Sequence, residues 1–220
     1  MDGKTLSIIL SMSIAVPSLL AMGRFSNIQK KYYPFIFCLW LGFLVELLVA
    51  SFFQHIPKEA WYTTHTIYNI YVLFEFPLYC WLFYKFAPGR INRLILFLLA
   101  GTGLVIWMVE TFELRTIRQI SGYYRIFYSF VLVLLSINHI NRLLVNERKL
   151  VLYNASFLIC SGIIIYYSFK ILVEVFYEYA PKEAATKIFD QIIPYLNTFL
   201  NLIFAFAVLC IPKRISFSKT

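Results

Sequence analysis

The stretch "LYNASFLICSGIIIYYSFKILVEVFYEY", residues 152–179, decides the fold. Its first 18 residues carry no charge. An apolar run of about 20 residues is what a helix needs to cross the hydrocarbon core of a bilayer. Lys170 and Glu174 then interrupt the apolar run one helical turn apart. We therefore expect a transmembrane helix that buries ionisable side chains.

Similar apolar segments recur along the whole chain. Of the 220 residues, 60% are hydrophobic and 14% are charged, and the mean hydropathy is +0.72, which lies outside the range of soluble domains. The connectors between the segments are too short to hold a second domain. We predict an all-α, polytopic membrane protein that forms a single seven-helix domain over residues 1–220. The predicted spans are 5–22, 34–53, 66–86, 91–111, 122–140, 150–176 and 191–211.

The distribution of Lys and Arg predicts the orientation. One set of alternate connectors carries twelve basic residues and one acid, and the other set carries seven basic residues and six acids. Because basic connectors stay in the cytoplasm, we expect the N terminus outside and the C terminus inside a cytoplasmic (inner or plasma) membrane. The start "MDGK" is a poor signal-peptide start, which favours an uncleaved first helix. The net charge of +9 then indicates topology and contact with membrane lipids, not nucleic acid.

The polar side chains within the spans are the candidate functional residues. An ionisable group inside a membrane is costly unless it faces a partner or water, so such groups usually mark functional sites. In the predicted topology these groups converge on the outer half of the bilayer. We predict an outward-facing polar pocket for a small polar or cationic ligand. Its candidate residues are Glu46, Asn69, Glu75, Tyr166, Lys170, Glu174, Asn197 and Asn201.

Two interpretations of Lys170 and Glu174 remain open. At a spacing of four residues they can pair along one helix face, and Lys170 would then extend to the membrane surface. Alternatively, both belong to a ligand or ion site. With Glu46, Glu75 and Glu110, four buried acids would face one buried Lys, so some acids need a proton, a cation or an Arg partner. The Arg candidates are Arg115, Arg118 and Arg125.

Enzyme signatures are missing from the sequence. His55, His65 and His139 are split between the two sides of the predicted bundle, so a His-based metal site is not expected. No catalytic triad motif is present. We expect no metal and no cofactor, and we favour a protein that is not an enzyme. Acid-based hydrolysis with Glu75 or Glu46 as the general base remains an alternative.

Three segments carry a resemblance. Residues 67–76, "IYNIYVLFEF", residues 152–169, "LYNASFLICSGIIIYYSF", and residues 195–210, "YLNTFLNLIFAFAVLC", resemble small uncharacterised seven-helix membrane proteins of the Bacteroidota type. The resemblance covers most of the chain. It implies the seven-helix fold and transfers neither an activity nor a site residue.

Two functions fit these patterns. The first is a sensory, receptor-like or interaction module that binds a ligand from outside and signals to a cytoplasmic partner. The alternative is a transporter or a homo-oligomeric channel in which Glu75 and Glu46 carry protons or cations. A polar path through the whole subunit would favour transport, and a site closed toward the cytoplasm would favour sensing.

Overall fold

The computed structural model describes residues 10–55, 60–86, 93–114, 116–146, 151–179 and 182–213. Within these ranges the chain is helical almost throughout, and its regular elements are seven α-helices joined by short turns. The expected all-helical class is therefore confirmed. Residues 5–9, 91–92 and 150 of the predicted spans lie outside the described ranges.

The helices follow the predicted spans in order. They are α1 (Ala15–Arg24), α2 (Tyr33–His55), α3 (Ala60–Phe86), α4 (Arg93–Val109), α5 (Gly122–Asn146), α6 (Ala155–Tyr179) and α7 (Lys182–Cys210). A π-type turn at Glu110–Leu114 extends α4. Short 3-10 turns lie at Met12–Ile14, Phe25–Asn27, Lys30–Tyr32 and Val151–Tyr153.

Within the described ranges, five helical stretches are long and apolar enough to cross a membrane, as a multi-pass membrane protein requires. They are Lys30–Ser51, Arg93–Leu114, Gly122–Val145, Ala155–Tyr179 and Ile192–Cys210. α3 has 27 residues but is not one of these five stretches. It carries the charged residues Glu75 and Lys85 and, in addition, polar Thr and Tyr residues, one Asn and one His. The described helix α1 has 10 residues. The crossing of the membrane by α1 and α3 stays a prediction.

Many large apolar side chains lie on the outer surface of the bundle. Large side chains such as Phe97, Met22 and Leu172 are 74%, 69% and 65% exposed. Exposed surface of this kind suits contact with lipid chains. The core is rich in aromatic side chains, and Phe35, Phe76 and Phe83 are almost fully buried.

Sequential helices pack as neighbours. α5 packs along α6, α6 along α7, and α2 along α3. α1 contacts α7 and α2, and α4 contacts α3 and α5. α3 also contacts α5, so α3, α5 and α6 enclose the interior in which the polar side chains lie.

Arg24 joins the beginning of the bundle to its end. Its guanidinium donates hydrogen bonds to the backbone oxygens of Val208 and Leu209 at 2.8 and 2.6 Å and to that of Ile211 at 3.3 Å. These carbonyls lie at the C-terminal end of α7, where the helix itself provides no donors. An isolated antiparallel bridge between Ile28 and Lys213 adds a second link.

Two glycines of α4 give a matched test of helix packing. A Cβ on Gly103 would lie 2.9 Å from Cε1 of buried Phe76, whereas a Cβ on Gly101 would meet nothing within 4 Å. Ala favours a helix over Gly by about 1 kcal/mol, and overpacking costs about 1–3 kcal/mol. We expect Gly103→Ala to lower the free energy of unfolding and Gly101→Ala to raise it, measured by reversible unfolding in SDS. Shifts in the same direction would contradict this account of the α3–α4 contact.

Candidate functional site

The candidate site lies between α3, α5 and α6. It begins at the end of the bundle where residues 116–121 connect α4 to α5, which we call the loop end, and it reaches the middle of α3. We call its hydrogen-bonded and ionisable side chains the buried network. They are Asn69, Tyr71, Glu75, Tyr79, Arg125, Tyr128, Tyr167, Lys170 and Glu174.

Glu75 lies near the inner end of the network. Its carboxylate accepts hydrogen bonds from Tyr71 at 2.7 Å and Tyr167 at 2.9 Å through Oε1, and from Tyr128 at 3.2 Å through Oε2. The side chain is 6% exposed. A buried carboxylate loses the hydration that stabilises its charge, and hydroxyl donors replace part of it. The three donors come from α3, α5 and α6, so the bonds set these helices in register.

Lys170 lies in a cage of tyrosine rings. Its Nζ donates a hydrogen bond to Tyr128 Oη at 2.5 Å. The same Nζ lies 5.1, 5.6 and 5.3 Å from the ring centroids of Tyr128, Tyr166 and Tyr167, within the range of cation–π attraction. The residue is 8% exposed. The rings therefore replace part of the water that a surface ammonium would bind.

Arg125 and Glu174 form the outer end of the network. Arg125 Nη1 lies 3.5 Å from Glu174 Oε1, and Arg125 Nη2 donates to Asn69 Oδ1 at 3.4 Å. These distances are long compared with those around Glu75. Glu174 Oε2 and Arg125 Nε are buried and have no hydrogen-bond partner among the described residues. The pair is thus less completely satisfied than the inner end.

Asn69 fixes the connection at the loop end. Its Nδ2 donates to the backbone oxygens of Ile117 at 3.0 Å and Gln119 at 2.6 Å, and its Oδ1 accepts from the backbone N–H of Ser121 at 3.3 Å. Asn69 is fully buried. Since its Oδ1 also contacts Arg125, the shape of the connection and the position of that guanidinium depend on one side chain.

The structure brings most of the predicted site residues together. Asn69, Glu75, Lys170 and Glu174 belong to the buried network, and the Tyr166 ring faces Lys170. Glu46 lies on α2 and accepts a hydrogen bond from Tyr68 Oη at 3.0 Å. It is half-buried and acts electrostatically on Tyr166.

Asn197 and Asn201 do not join the others. Asn201 Nδ2 donates to Ser13 Oγ at 2.8 Å, which places this face of α7 against the turn before α1. Asn197 is half-buried one turn earlier on α7. Both residues were expected at the pocket because the predicted topology puts them at the same depth in the membrane as the other candidates. Depth alone does not determine which neighbouring helix a given helix face contacts.

The expected pairing along α6 is replaced by pairing between helices. Among the described residues, Glu174 forms its ion pair with Arg125, and Lys170 bonds to Tyr128. Side chains lean toward the N terminus of their helix, and the buried Lys170 accordingly extends toward Tyr166 and Tyr167 inside the bundle. The snorkelling interpretation of Lys170 therefore does not describe this structure.

Each of the four acids that were predicted to be buried has a hydrogen-bond or ion-pair partner. Glu110 accepts hydrogen bonds from the backbone N–H groups of Tyr123 and Tyr124 at 3.1 and 2.8 Å. It thus caps the N-terminal end of α5, where the helix dipole is positive. In the network, two carboxylates, Glu75 and Glu174, accompany two cations, Arg125 and Lys170.

The sequence interpretation missed Tyr128, and it gave Arg125 only as one of three Arg candidates. Tyr128 bridges Lys170 and Glu75 and is fully buried. A signal was available, because Arg125 falls within the predicted span 122–140 and Tyr128 follows it at i+3 on the same face.

The network is closed in this structure, and a groove lies elsewhere. Arg125 and Glu174 are 7% and 1% exposed. An apolar groove of about 490 Å³ lies on the surface between α2 and α3. Its lining residues are Phe37, Leu41, Phe74, Pro77, Leu78 and Trp81. In the described part of the chain, no group of His, Cys, Asp and Glu is arranged to hold a metal ion.

Comparisons with known proteins assign no family. No protein-family model matches the chain, and neither a curated protein nor a solved structure matches it. The resemblance to small seven-helix proteins stays a prediction. Any function must therefore be argued from the buried network.

Removal of one partner tests the outer ion pair. Arg125→Met leaves the Glu174 carboxylate buried without its cation, and a lone buried charge costs about 3–5 kcal/mol. The double variant Arg125→Met with Glu174→Gln should lose less than the single variant, because the carboxylate is gone. Unfolding in SDS gives both values.

Arg118→Met is the matched control, since this Arg lies at the same end and is exposed. Its free energy of unfolding should stay within about 0.5 kcal/mol of that of the wild type. If Arg125→Met behaves like Arg118→Met, the ion pair contributes nothing to the fold.

Proposed function

We propose that the chain is a sensory, receptor-like module of the cytoplasmic (inner or plasma) membrane. In this proposal all seven helices cross the bilayer, with the loop end outside and the C terminus in the cytoplasm. The distribution of charge supports this orientation, since five exposed basic residues of the described ranges lie at the end opposite the loop end, whereas Arg118 is exposed at the loop end. The five are Lys30, Lys31, Lys85, Arg93 and Lys213. The described acids lie at the loop end or midway along the bundle.

The unsatisfied atoms of the outer ion pair carry the proposal. Glu174 Oε2 can accept and Arg125 Nε can donate one further hydrogen bond, and neither does so within the described residues. Buried polar atoms without partners are rare, and each needs an explanation. Glu174 lies about 8 Å below the end of α6 at 1.5 Å per residue, within reach of a small molecule from outside. The ligand would be small and polar or cationic.

Binding at this pair would reach the rest of the bundle through Asn69. A ligand group that takes over a bond of Arg125 would weaken the contact between that guanidinium and Asn69 Oδ1. Asn69 holds residues 116–121 and the start of α5. α5 runs to the basic end of the bundle, where a cytoplasmic partner or a second copy would detect a shift. Such a shift requires the ligand to prefer one arrangement over the other.

Transport through the subunit is the alternative. It requires polar groups from Glu75 to the basic end, and α5 offers the buried hydroxyls of Ser129 and Ser136 there. Two buried apolar side chains, Leu132 and Leu135, lie between these hydroxyls in the sequence of α5, so the polar groups there are not continuous along the helix. Among the described residues, the hydrogen bonds of the network continue from Tyr167 to Tyr79, one turn beyond Glu75 on α3. We therefore favour sensing over a proton or cation pathway.

Ligand binding is tested on the whole protein in lipid nanodiscs. Thermal unfolding is measured with small ammonium compounds, amino acids and sugars, after native mass spectrometry for co-purified molecules. A ligand at 100 times its Kd adds about 2.7 kcal/mol to stability. We expect Glu174→Gln to remove this gain, whereas Glu113→Gln, an exposed acid at the same end, should keep it. Equal gains in wild type and Glu174→Gln would place the ligand elsewhere.

Transport is tested in proteoliposomes that contain a pH-sensitive dye. We expect no proton flux above that of empty vesicles, because the stretch of α5 between the network and the basic end buries the apolar side chains of Leu132 and Leu135. A proton channel in parallel vesicles provides the positive control. Flux that disappears in Glu75→Gln would replace the sensing proposal with the transport alternative.

A further inference from the structure

Tyr128 connects two opposite charges through one hydroxyl group. Lys170 Nζ donates to Tyr128 Oη at 2.5 Å, and Tyr128 Oη donates to Glu75 Oε2 at 3.2 Å. An ammonium can only donate and a carboxylate can only accept. The two bonds must therefore point the same way, from Lys170 to Glu75, which is the arrangement that a proton relay requires.

We propose that Tyr128 relays a proton between Lys170 and Glu75. The Lys170 ammonium gives a proton to Tyr128 Oη as the Tyr128 hydroxyl proton moves to Glu75 Oε2. Lys170 becomes a neutral amine, Glu75 becomes a carboxylic acid, and Tyr128 is unchanged. The step needs no further reactant, and the net charge of the network stays the same.

The surroundings support both states of the relay. In the charged state, three hydroxyl groups donate hydrogen bonds to the Glu75 carboxylate and three aromatic rings surround the Lys170 ammonium, and these contacts stabilise both charges. The neutral state removes two buried charges from a medium that stabilises them poorly. Two such states can lie close in free energy, so a small change in the local field can shift the proton.

Other charged and titratable groups determine that field. Cys38 on α2 and Tyr71 and Tyr79 on α3 lie within electrostatic range of Glu75. Arg125 on α5 and Glu174 on α6 act on Lys170. Glu46 on α2 acts on Tyr166. The acid near α4, Glu110, is held by the backbone of α5.

The relay would give the proposed sensor its response. A cation bound to Glu174 would offset the negative charge near Lys170 and so move the proton toward Glu75. In this respect the inference rests on the proposed function. The transfer itself is measurable without a ligand.

The test is temperature-jump infrared spectroscopy of the full chain in nanodiscs. The jump shifts the equilibrium between the two states, and the carboxylic acid C=O band of Glu75 reports it. If this band disappears in the Glu75→Gln variant, the band is assigned to Glu75. Positioned proton transfer contributes on the order of a hundredfold in rate, so Tyr128→Phe should slow the relaxation about that much.

Tyr124→Phe is the matched control on the same helix. Tyr124 Oη donates its hydrogen bond to the backbone oxygen of Val72 and lies outside the Lys170–Tyr128–Glu75 hydrogen bonds, so the relaxation should keep the wild-type rate. Circular dichroism checks that each variant is folded. If Tyr128→Phe does not fold, ¹⁵N NMR of Lys170 in the wild-type protein decides, because the relay requires a neutral amine fraction that grows with the Glu75 band.

The outcomes separate the two proposals. A wild-type protein without a Glu75 carboxylic acid band, or a Tyr128→Phe variant that relaxes at the wild-type rate, overturns the relay even if a ligand binds at Glu174. An intact, Tyr128-dependent relaxation together with no ligand binding supports the relay and removes its proposed trigger.

Discussion

The burial of the Glu75 carboxylate is the constraint on which the rest of the structure depends. A charge midway along a helix bundle in a membrane is costly, and protein groups must replace the water that it loses. Tyr71, Tyr128 and Tyr167 supply three hydroxyl donors from α3, α5 and α6. Rotation of any of these helices would remove a donor, so the carboxylate fixes the helix faces that enclose the interior.

The network is tightly bonded at its inner end and loosely bonded at its outer end. Contacts of Glu75 with Tyr71 and Tyr167 are 2.7 and 2.9 Å long, whereas Arg125 lies 3.5 Å from Glu174 and 3.4 Å from Asn69. Weakly bonded groups can exchange partners at low cost, and tightly bonded ones hold their geometry. The outer end is therefore the part of the network that can rearrange at lower cost. The inner end can hold the helices in place during such a rearrangement.

The sequence predicted the helices well and their contacts poorly, for one physical reason. Apolar runs locate the helices, because length and hydropathy decide whether a segment can cross a bilayer. Helix faces are not readable in the same way, since side chains that face lipid and side chains that face the core are both apolar. The shared face of Lys170 and Glu174 followed from their spacing. Their partners Tyr128 and Arg125, and the contact of Asn201 with Ser13, depend on which faces meet.

In such a protein the polar groups carry information that the hydrophobic effect cannot supply. Lipid chains are as apolar as Leu, so apolar side chains do not by themselves select one helix arrangement over another. Close packing at Gly103 and hydrogen bonds between helices make that selection. A network that served only this purpose would be expected to satisfy all of its buried atoms. Glu174 Oε2 and Arg125 Nε lack partners within the described residues, and the proposal of a ligand site rests on this observation.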